Sequence, residues 1–306
     1  MRVGYLCMES VFSVRPLQAM LRAGHDVRFV MRPIGPLATR TQPVLRRHRG
    51  FDIAVRRLLG RGGDAARRDP FAVAADADIP AWIVGNASAP AAIELITRER
   101  VDVLVVAFFN QLLKPPVLAV PRFGAINLHP SLLPSYRGPA PLFWTYRDAA
   151  PESGLTLHRV APGEDDGDVL AQARVPVPFG LPGEDLVDLL AEHAEREVVS
   201  VLDRLARGER AGTPQDATRA TRAPRPSDAD LVLDATMGAR HAFHFARGVG
   251  RWNQLVVDVA GTRVRVVDAV ELDEGRRIPG EVALVGDTVC LGCHDGVVML
   301  RAQGVS

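Results

Sequence analysis

The sequence predicts an α/β protein with a doubly wound, mostly parallel sheet, followed by a smaller β-barrel domain. Three observations lead to this fold class. The first half alternates short β-branched runs with helical patterns, which is typical of βαβ units. One run, Asp102 to Phe108, is apolar nearly throughout, as a strand buried on both faces should be. The last third instead carries several short strand patterns separated by turn residues.

The composition supports a folded globular protein. The chain has 306 residues, which is enough for about two domains. Hydrophobic residues make up 47% and charged residues 24%, close to the averages of globular proteins, so global disorder and fibrous repeats are excluded. The net charge is +1, which creates no global field for nucleic acid or an anionic membrane. Any basic site must therefore be local.

The sequence also predicts a cytoplasmic location. The three cysteines, Cys7, Cys290 and Cys293, are too few for a secreted disulfide framework. The N-terminal residues lack the apolar length and cleavage site of a signal peptide, so we expect Met1 to begin the mature protein. No apolar run approaches the roughly 18 residues of a transmembrane helix, so we expect no membrane association.

The elements of the first domain, residues 1–207, follow from these patterns. Strands are predicted at 2–6, 26–31, 81–84, 102–108, 124–129, 154–160 and 168–177, and helices at 13–22, 89–98 and about 183–207. In such sheets, ligands bind beyond the carboxyl ends of the strands. Residues that follow a strand are therefore the first candidates for a site.

A boundary is expected after this domain. Residues 208–226 are rich in Pro, Thr, Gly and Arg without a hydrophobic period, which predicts an extended linker. Residues 227–306 contain a helical pattern near Ala235 to Arg247 and five short strand patterns. These patterns predict a C-terminal OB-like β-barrel domain of about 80 residues.

The segment from Ala125 to Trp144 is the most informative for chemistry. A strand ends in Asn127 and His129 and continues into a loop punctuated by Pro and Gly. Side chains two residues apart share one face of a strand, so the two can face the same cleft. An amide donor beside an imidazole can stabilise an oxyanion and move a proton, as acyl transfer requires. A structural role for the pair is equally compatible with this pattern alone.

The neighbouring motifs resemble those of the folate-dependent formyltransferases. That family has Asn-x-His followed by Ser-Leu-Leu-Pro, an aromatic-Arg-Gly, a strand and an Asp-x-Gly loop. The corresponding residues here are Asn127, His129, Ser131 to Pro134, Tyr136-Arg137-Gly138 and Asp165-Asp166-Gly167. The resemblance continues into the C-terminal domain, where Leu291 to Leu300 are similar to the final barrel strands of family members.

The resemblance implies an N-formyltransferase that uses 10-formyltetrahydrofolate and no metal. Its catalytic set would be Asn127, His129 and Asp165, the last because it stands two residues before Gly167. A primary amine would attack the formyl carbon while Asn127 and protonated His129 stabilise the oxyanion and Asp165 accepts a proton. The residues implied for the folate pocket are Phe108, Asn110, Gln111, Leu112, Leu113, Val160, Gly163 and Glu164.

The acceptor side is predicted with two alternatives. Ser131, Tyr136, Arg137 and Trp144 are candidate acceptor-binding residues, although Arg137 is equally suited to pinning its loop. The segment from His129 to Trp144 is similar to formyltransferases that act on amino sugars or amino acids, which favours a small-molecule amine. The alternative is initiator methionyl-tRNA.

The tRNA alternative depends on local charge. Ten arginines and two aspartates lie between Arg32 and Arg68, a candidate polyanion patch. A solvated amphipathic helix over Phe51 to Leu59 is the alternative interpretation. The family's basic tRNA-binding loop has paired lysines and a Pro-Val-Lys, for which Gln42-Pro43-Val44 is the nearest match. Residues Cys7 to Phe12 also differ from the segment typical of the tRNA-specific members.

Parts of the sequence are compatible with functions other than formyl transfer. Formyltetrahydrofolate hydrolysis and an RNA-binding protein without the chemistry remain alternatives to formyl transfer. The pattern Cys290-Leu-Gly-Cys293-His294 matches haem attachment but lies inside a predicted hairpin. We interpret His158 as structural or as part of the pocket rim, and no ligand spacing in the sequence supports a zinc site made of His129, His158 and Asp165. We expect a monomer or a homodimer.

Overall fold

The computed structural model describes residues 1–34, 45–48 and 68–303. Most of the Arg-rich stretch between Arg32 and Arg68, including the helix expected over Phe51 to Leu59 and the Gln42-Pro43-Val44 match, lies outside the described residues. The contacts between residues divide the chain into two compact units. One contains residues 1–137, 154–174 and 187–221, and the other contains residues 138–153, 175–186 and 222–306.

An eight-stranded sheet organises the first unit. Its strands, in chain order, are β1 (Arg2–Cys7), β2 (Asp26–Pro33), β3 (Leu45–Arg47), β4 (Ala81–Val84), β5 (Val103–Ala107), β6 (Ala125–His129), β7 (Glu152–Arg159) and β8 (Val169–Pro176). They lie in the order β3-β4-β2-β1-β5-β6-β7-β8. The four pairs from β4 to β6 are parallel, whereas β3 pairs antiparallel with β4 and β7 pairs antiparallel with β6. The predicted mostly parallel sheet is therefore confirmed.

Helices flank this sheet. They are α1 (Val11–Arg22), α2 (Pro70–Asp76), α3 (Pro90–Arg98), α4 (Pro115–Leu118) and α6 (Gly183–Ala206), the last beginning in the second unit. One buried cluster joins α3 and α4 to residues of β1, β2, β4, β5 and β6. All five residues of β5 are buried, as its continuous apolar run predicts. Among the described residues, no helix combines the length and apolar character needed to cross a membrane.

The second unit contains a five-stranded antiparallel sheet. Its strands are β9 (Leu255–Val259), β10 (Thr262–Asp273), β11 (Val282–Val285), β12 (Thr288–Gly292) and β13 (Val297–Gln303), in the order β11-β12-β13-β10-β9. The edge strands β9 and β11 also contact each other, so the sheet curls into a half-barrel. Helix α7 (Ala239–Val249) packs on β10 and β13 and contacts α5 (Pro141–Arg147). The curled sheet confirms the predicted OB-like domain.

The segment predicted as a linker, residues 208–226, is divided between the two units. Residues up to Thr221 group with the first unit, and residues from Arg222 group with the second. The segment is extended except for a single 3-10 turn over Ala217–Arg219. The domain boundaries at 207 and 226 stay predictions.

Candidate active site

Strand β6 positions the two residues of the Asn-x-His pair. Asn127 and His129 occupy alternate positions and therefore share a face of the sheet. In the antiparallel pairing with β7, His158 lies directly opposite Asn127 and Thr156 lies opposite His129. His129 and His158 are both buried, with 3% and 2% of their surface exposed. The strand pair thus concentrates polar side chains in an environment where each needs a partner.

Asp165 reaches this cluster from the loop after β7. Its Oδ2 lies 3.5 Å from Nδ1 of His129, and its Oδ1 lies 3.4 Å from Nε2 of His158. Asn127 Nδ2 donates to the same Oδ1 at 3.3 Å. Asp165 has a φ of 52°, in the left-handed region that few non-glycine residues adopt. The three residues predicted as the catalytic set therefore lie together.

His158 is the residue of this cluster that the sequence analysis did not select. Its Nδ1 lies 2.8 Å from the carbonyl oxygen of Arg159, which can only accept, so Nδ1 carries a proton. In the neutral ring Nε2 is then an acceptor, and Asn127 Nδ2 lies 3.2 Å from it. His158 therefore orients the Asn127 amide. Its position opposite Asn127 becomes visible only once the β6–β7 register is known.

The ring of His129 lies between two acceptors. Its Nε2 donates to the carbonyl oxygen of Tyr136 at 2.9 Å, which leaves Nδ1 toward the carboxylate of Asp165. Burial lowers the pKa of His129, the Asp165 carboxylate opposes this effect, and His158 lowers the pKa further. The Asp165 carboxylate therefore favours a proton on Nδ1, the ring nitrogen that faces it.

The same three side chains have the atom types that bind metal ions. Three potential ligand atoms lie within 4.8 Å of one another, one each from His129, His158 and Asp165. However, Asn127 Nδ2 is within hydrogen-bond distance of both His158 and Asp165. These groups therefore have hydrogen-bond partners within the protein.

The predicted folate residues after β5 begin with a turn of the backbone. Phe108 was expected to end the strand, but its φ of 51° takes it out of the extended conformation, and β5 ends at Ala107. Its ring stacks on Phe12 with a centroid separation of 4.7 Å. Gln111 accepts from the backbone of Ala87 and donates to the carbonyl of Gly85, each at 2.9 Å. This segment is therefore braced against the loop after β4.

Three further residues of this segment differ in exposure. Leu113 is buried in the core cluster, whereas Leu112 is 71% exposed. The Oδ1 of Asn110 is buried, and no residue that the structure describes donates a hydrogen bond to it. A buried acceptor that lacks a donor is costly, so this atom suits a ligand that brings an N–H group.

The other predicted folate residues lie on the loop that carries Asp165. Val160 packs against the core cluster. Gly163 approaches Asp166 so closely that a Cβ there would overlap its carboxylate. The charge of Glu164 contributes to raising the pKa of His129. The charge effect places Glu164 near the cluster of Asn127, His129 and Asp165. Val160 and Gly163 instead pack within the loop and its surroundings.

The predicted acceptor-side residues are in different environments. Ser131 is fully buried, and its hydroxyl donates to the carbonyl of Ser135 at 2.7 Å. Tyr136 adopts a φ of 60° and presents its carbonyl to His129. Arg137 donates through Nε and Nη2 to Oε1 of Gln215. Trp144 belongs to the second unit, where its indole N–H donates to the carbonyl of Pro224 at 2.7 Å.

Comparisons with known proteins identify the family of this chain. A family model described as formyl transferase matches residues 55–202. A methionyl-tRNA formyltransferase of Chloroflexus aurantiacus is 32% identical over 284 residues, which cover 92% of this chain and 84% of the relative. A methionyl-tRNA formyltransferase of Acidobacterium capsulatum is 29% identical over 291 residues, covering 95% of this chain and 87% of the relative.

The fold of a solved structure is also similar. The N-formyltransferase from Helicobacter canadensis, in complex with folinic acid and dTDP-3-aminofucose, matches with a TM-score of 0.66 and 14% identity. The match covers 98% of both chains. At this identity, the likeness concerns the fold alone. With the sequence relatives, the family model and the polar cluster on β6 in agreement, the chain belongs to the folate-dependent formyltransferase family.

Proposed function

We propose that this protein transfers the formyl group of 10-formyltetrahydrofolate to a primary amine, with Asn127, His129 and Asp165 as the catalytic residues. The observation that carries the proposal is the convergence of an amide, an imidazole and a carboxylate at the end of β6. Asp165 lies 3.3 Å from the amide nitrogen of Asn127 and 3.5 Å from the ring of His129. Acyl transfer to an amine needs a donor for the oxyanion and an acceptor for the proton.

Each residue has a chemical task in this proposal. The folate supplies the formyl group, whose carbonyl oxygen becomes negative as the amine adds to its carbon. With the substrate bound, Nδ2 of Asn127 and Nδ1 of protonated His129 turn from the Asp165 carboxylate to donate hydrogen bonds to that oxygen. Asp165 stabilises the imidazolium and accepts, directly or through water, the proton that the attacking nitrogen sheds. His158 holds the amide of Asn127 in place.

The described residues after β5 fit a folate. The unpaired Oδ1 of Asn110 offers an acceptor to an N–H group of the pterin, and the exposed side chain of Leu112 offers apolar surface to a flat ring. Gln111 and the Phe108 turn brace the backbone between them. The segment thus combines a rigid backbone with unused polar and apolar contacts.

The first candidate for the acceptor is a small-molecule amine, such as an amino sugar or an amino acid. The support is the segment from His129 to Trp144, which is similar to formyltransferases of that type. The Ser131 hydroxyl donates to the carbonyl of Ser135 within the loop. The carbonyl of Tyr136 accepts from His129, which places Tyr136 and the following Arg137 beside the catalytic residues. We therefore assign the acceptor side to Tyr136 before Ser131, whereas the guanidinium of Arg137 bonds to Gln215, which fits its alternative role of holding the loop.

Initiator methionyl-tRNA is the second candidate. Its support is the similarity, over nearly the whole chain, to relatives named methionyl-tRNA formyltransferase. The two acceptors predict different salt dependence. Binding of a tRNA is steeply weakened by salt because counterions are released from the phosphates, whereas binding of a small amine is not.

The test follows tetrahydrofolate formation with 10-formyltetrahydrofolate and a panel of acceptors. The panel holds methionyl-tRNA, nucleotide-linked amino sugars, ornithine derivatives and an acceptor-free control. Turnover that requires one acceptor supports formyl transfer and identifies the amine. Turnover without any acceptor indicates a hydrolase, and absence of folate binding contradicts the assignment of the site.

Two expectations about the cell biology of the chain remain part of the proposal. A reducing compartment such as the cytoplasm suits the three cysteines, all of which are free thiols. A monomer or homodimer is expected, and light scattering after size-exclusion chromatography measures which of these forms.

A further inference from the structure

The segment Gly208–Thr221, which we call the strap, contacts both loops that hold the catalytic cluster. At one end, Thr213 and Val169 exchange two backbone hydrogen bonds of 2.8 Å just after the Asp165 loop. At the other end, the Thr221 hydroxyl accepts from the backbone of Tyr136 at 2.8 Å, and its carbonyl accepts from the backbone of Arg137 at 2.9 Å. The strap thus connects the loop after β6 to the loop after β7.

Gln215 lies between these two attachments and uses its whole side-chain amide. Its Nε2 donates to the carbonyl oxygens of Asp165 at 2.8 Å and of Gly167 at 2.7 Å. Its Oε1 accepts from Nε of Arg137 at 3.1 Å and from Nη2 at 2.8 Å. Two donors and two acceptor positions are thus all occupied, which an amide alone among side chains can achieve.

The residues that Gln215 joins are those on which the cluster depends. Asp165 carries the carboxylate from a left-handed backbone conformation, and such a conformation persists only where its surroundings hold it. On the other side, Arg137 follows Tyr136, whose carbonyl accepts a hydrogen bond from Nε2 of His129. A Cβ at Gly167 would overlap the carbonyl of Arg159, so the loop also packs tightly at its end.

We propose that Gln215 is a positioning residue for formyl transfer, which holds the carboxylate of Asp165 at the imidazole of His129 by tying together the backbones of the two loops. This inference rests on the proposed function. Gln215 lies in a polar segment that the sequence predicts as a linker, and its role follows from the four hydrogen bonds of its amide.

The test compares the wild type with Gln215→Met, which keeps the length of the side chain and removes its hydrogen bonds. We expect kcat to fall about tenfold with the KM for the folate changed less than about twofold, because geometry and not binding is disturbed. In an Asp165→Asn background, Gln215→Met should lower the rate no further, since it acts through that carboxylate. Additive losses would overturn the proposal.

A second readout does not need turnover. The Asp165 carboxylate raises the pKa of His129, so a displaced carboxylate should lower the pKa of that ring. NMR titration of the histidine ring nitrogens measures this in wild type and Gln215→Met. An unchanged His129 titration in the variant would show that Gln215 acts on strap stability only, and it would overturn the proposal even if the rate fell.

Two further variants control the comparison. Gln215→Glu keeps the acceptors for Arg137 but cannot donate to the two carbonyls, so it should show the same losses. Thr218→Ala lies in the same strap and removes a hydroxyl that bonds to Asp216. It should leave both kcat and the His129 titration unchanged. If the wild type transfers no formyl group, the titrations still decide whether Gln215 positions Asp165, so failure of the two proposals is distinguishable.

Discussion

Buried histidines occupy two different environments in the two units of this chain. In the first unit, His129 and His158 share the carboxylate of Asp165 at 3.5 and 3.4 Å. In the second unit, His244 accepts from the backbone of Gly180 at 3.0 Å and packs beside the rings of Tyr146 and Phe179.

The comparison separates a histidine that bonds to a backbone N–H from one that faces a carboxylate. Burial lowers the pKa of both His129 and His244. For His129 a carboxylate opposes this effect, whereas His241 and Arg240 lower the pKa of His244 further. Burial and a perturbed pKa are therefore insufficient to mark a catalytic histidine. A carboxylate partner alone does not mark one either, because buried His25 has Asp203 at 3.7 Å, and Asp203 likewise opposes the lowering of its pKa. What sets His129 apart is that its carboxylate partner also contacts a second histidine and an amide.

The largest effect is expected from Asp165→Asn, which removes the carboxylate that faces both His129 and His158. Asparagine tolerates the left-handed backbone, so we expect the fold to persist while the rate falls about 10²- to 10⁴-fold, the range for losing a general acid or base. Tetrahydrofolate formation measures the rate. Asp166→Asn, at the exposed neighbouring position, is the matched control and should retain the wild-type rate. Equal losses in the two variants would contradict the assignment.

His158→Phe tests whether the second histidine of the cluster is chemical. The phenyl ring keeps the packing but offers no acceptor to Asn127 Nδ2, and an unpaired buried donor costs about 1–3 kcal/mol. We expect a rate loss of about 10- to 100-fold with the folate still bound. A variant with the wild-type rate would move His158 into the structural class beside His244.

His244→Phe should show the opposite pattern. Without its Nδ1, the backbone N–H of Gly180 loses its acceptor, so we expect the free energy of unfolding to fall by about 1–3 kcal/mol. Chemical denaturation measures this loss. Formyl transfer by the folded variant should be unchanged, and a specific loss of kcat would remove the contrast between the two units.

The smallest effect is expected in the pH dependence of stability. Because the pKa of His129 and of His244 is lower in the folded protein than the ordinary value of 6.5, the unfolded chain binds more protons just below that pH. The free energy of unfolding should therefore rise as pH increases toward about 6.5 and decline on acidification below it. Melting temperatures across this range should show a shallower slope in His244→Phe than in the wild type.

The extent to which sequence predicts this molecule differs between its parts. Continuous apolar runs predict strands such as β5, and the spacing of Asn127 and His129 predicts a shared face, because both are local properties of the chain. Asp165 stands between two other acidic residues, and the family resemblance alone selects it. The α5 helix, Pro141–Arg147, escapes prediction because its onset is rich in proline and small residues.

Long-range pairing explains what the sequence does not reveal. The role of His158 depends on the register between β6 and β7, which no local pattern specifies. Gln215 lies 50 positions from Asp165 in a segment without hydrophobic period. Arg137 was expected on the acceptor side or as a pin for its loop, and its guanidinium contacts Gln215. These contacts form only once the chain has brought distant segments together.

The exposed side chain of Leu112 has a thermodynamic consequence. A leucine that is 71% exposed orders water around its methyl groups, and under the proposed assignment the folate covers this surface. Removal of apolar surface from water makes the heat capacity of binding negative. The enthalpy of folate binding should therefore become more favourable with each degree of warming. Calorimetry at several temperatures measures this slope, to which the burial of Leu112 contributes.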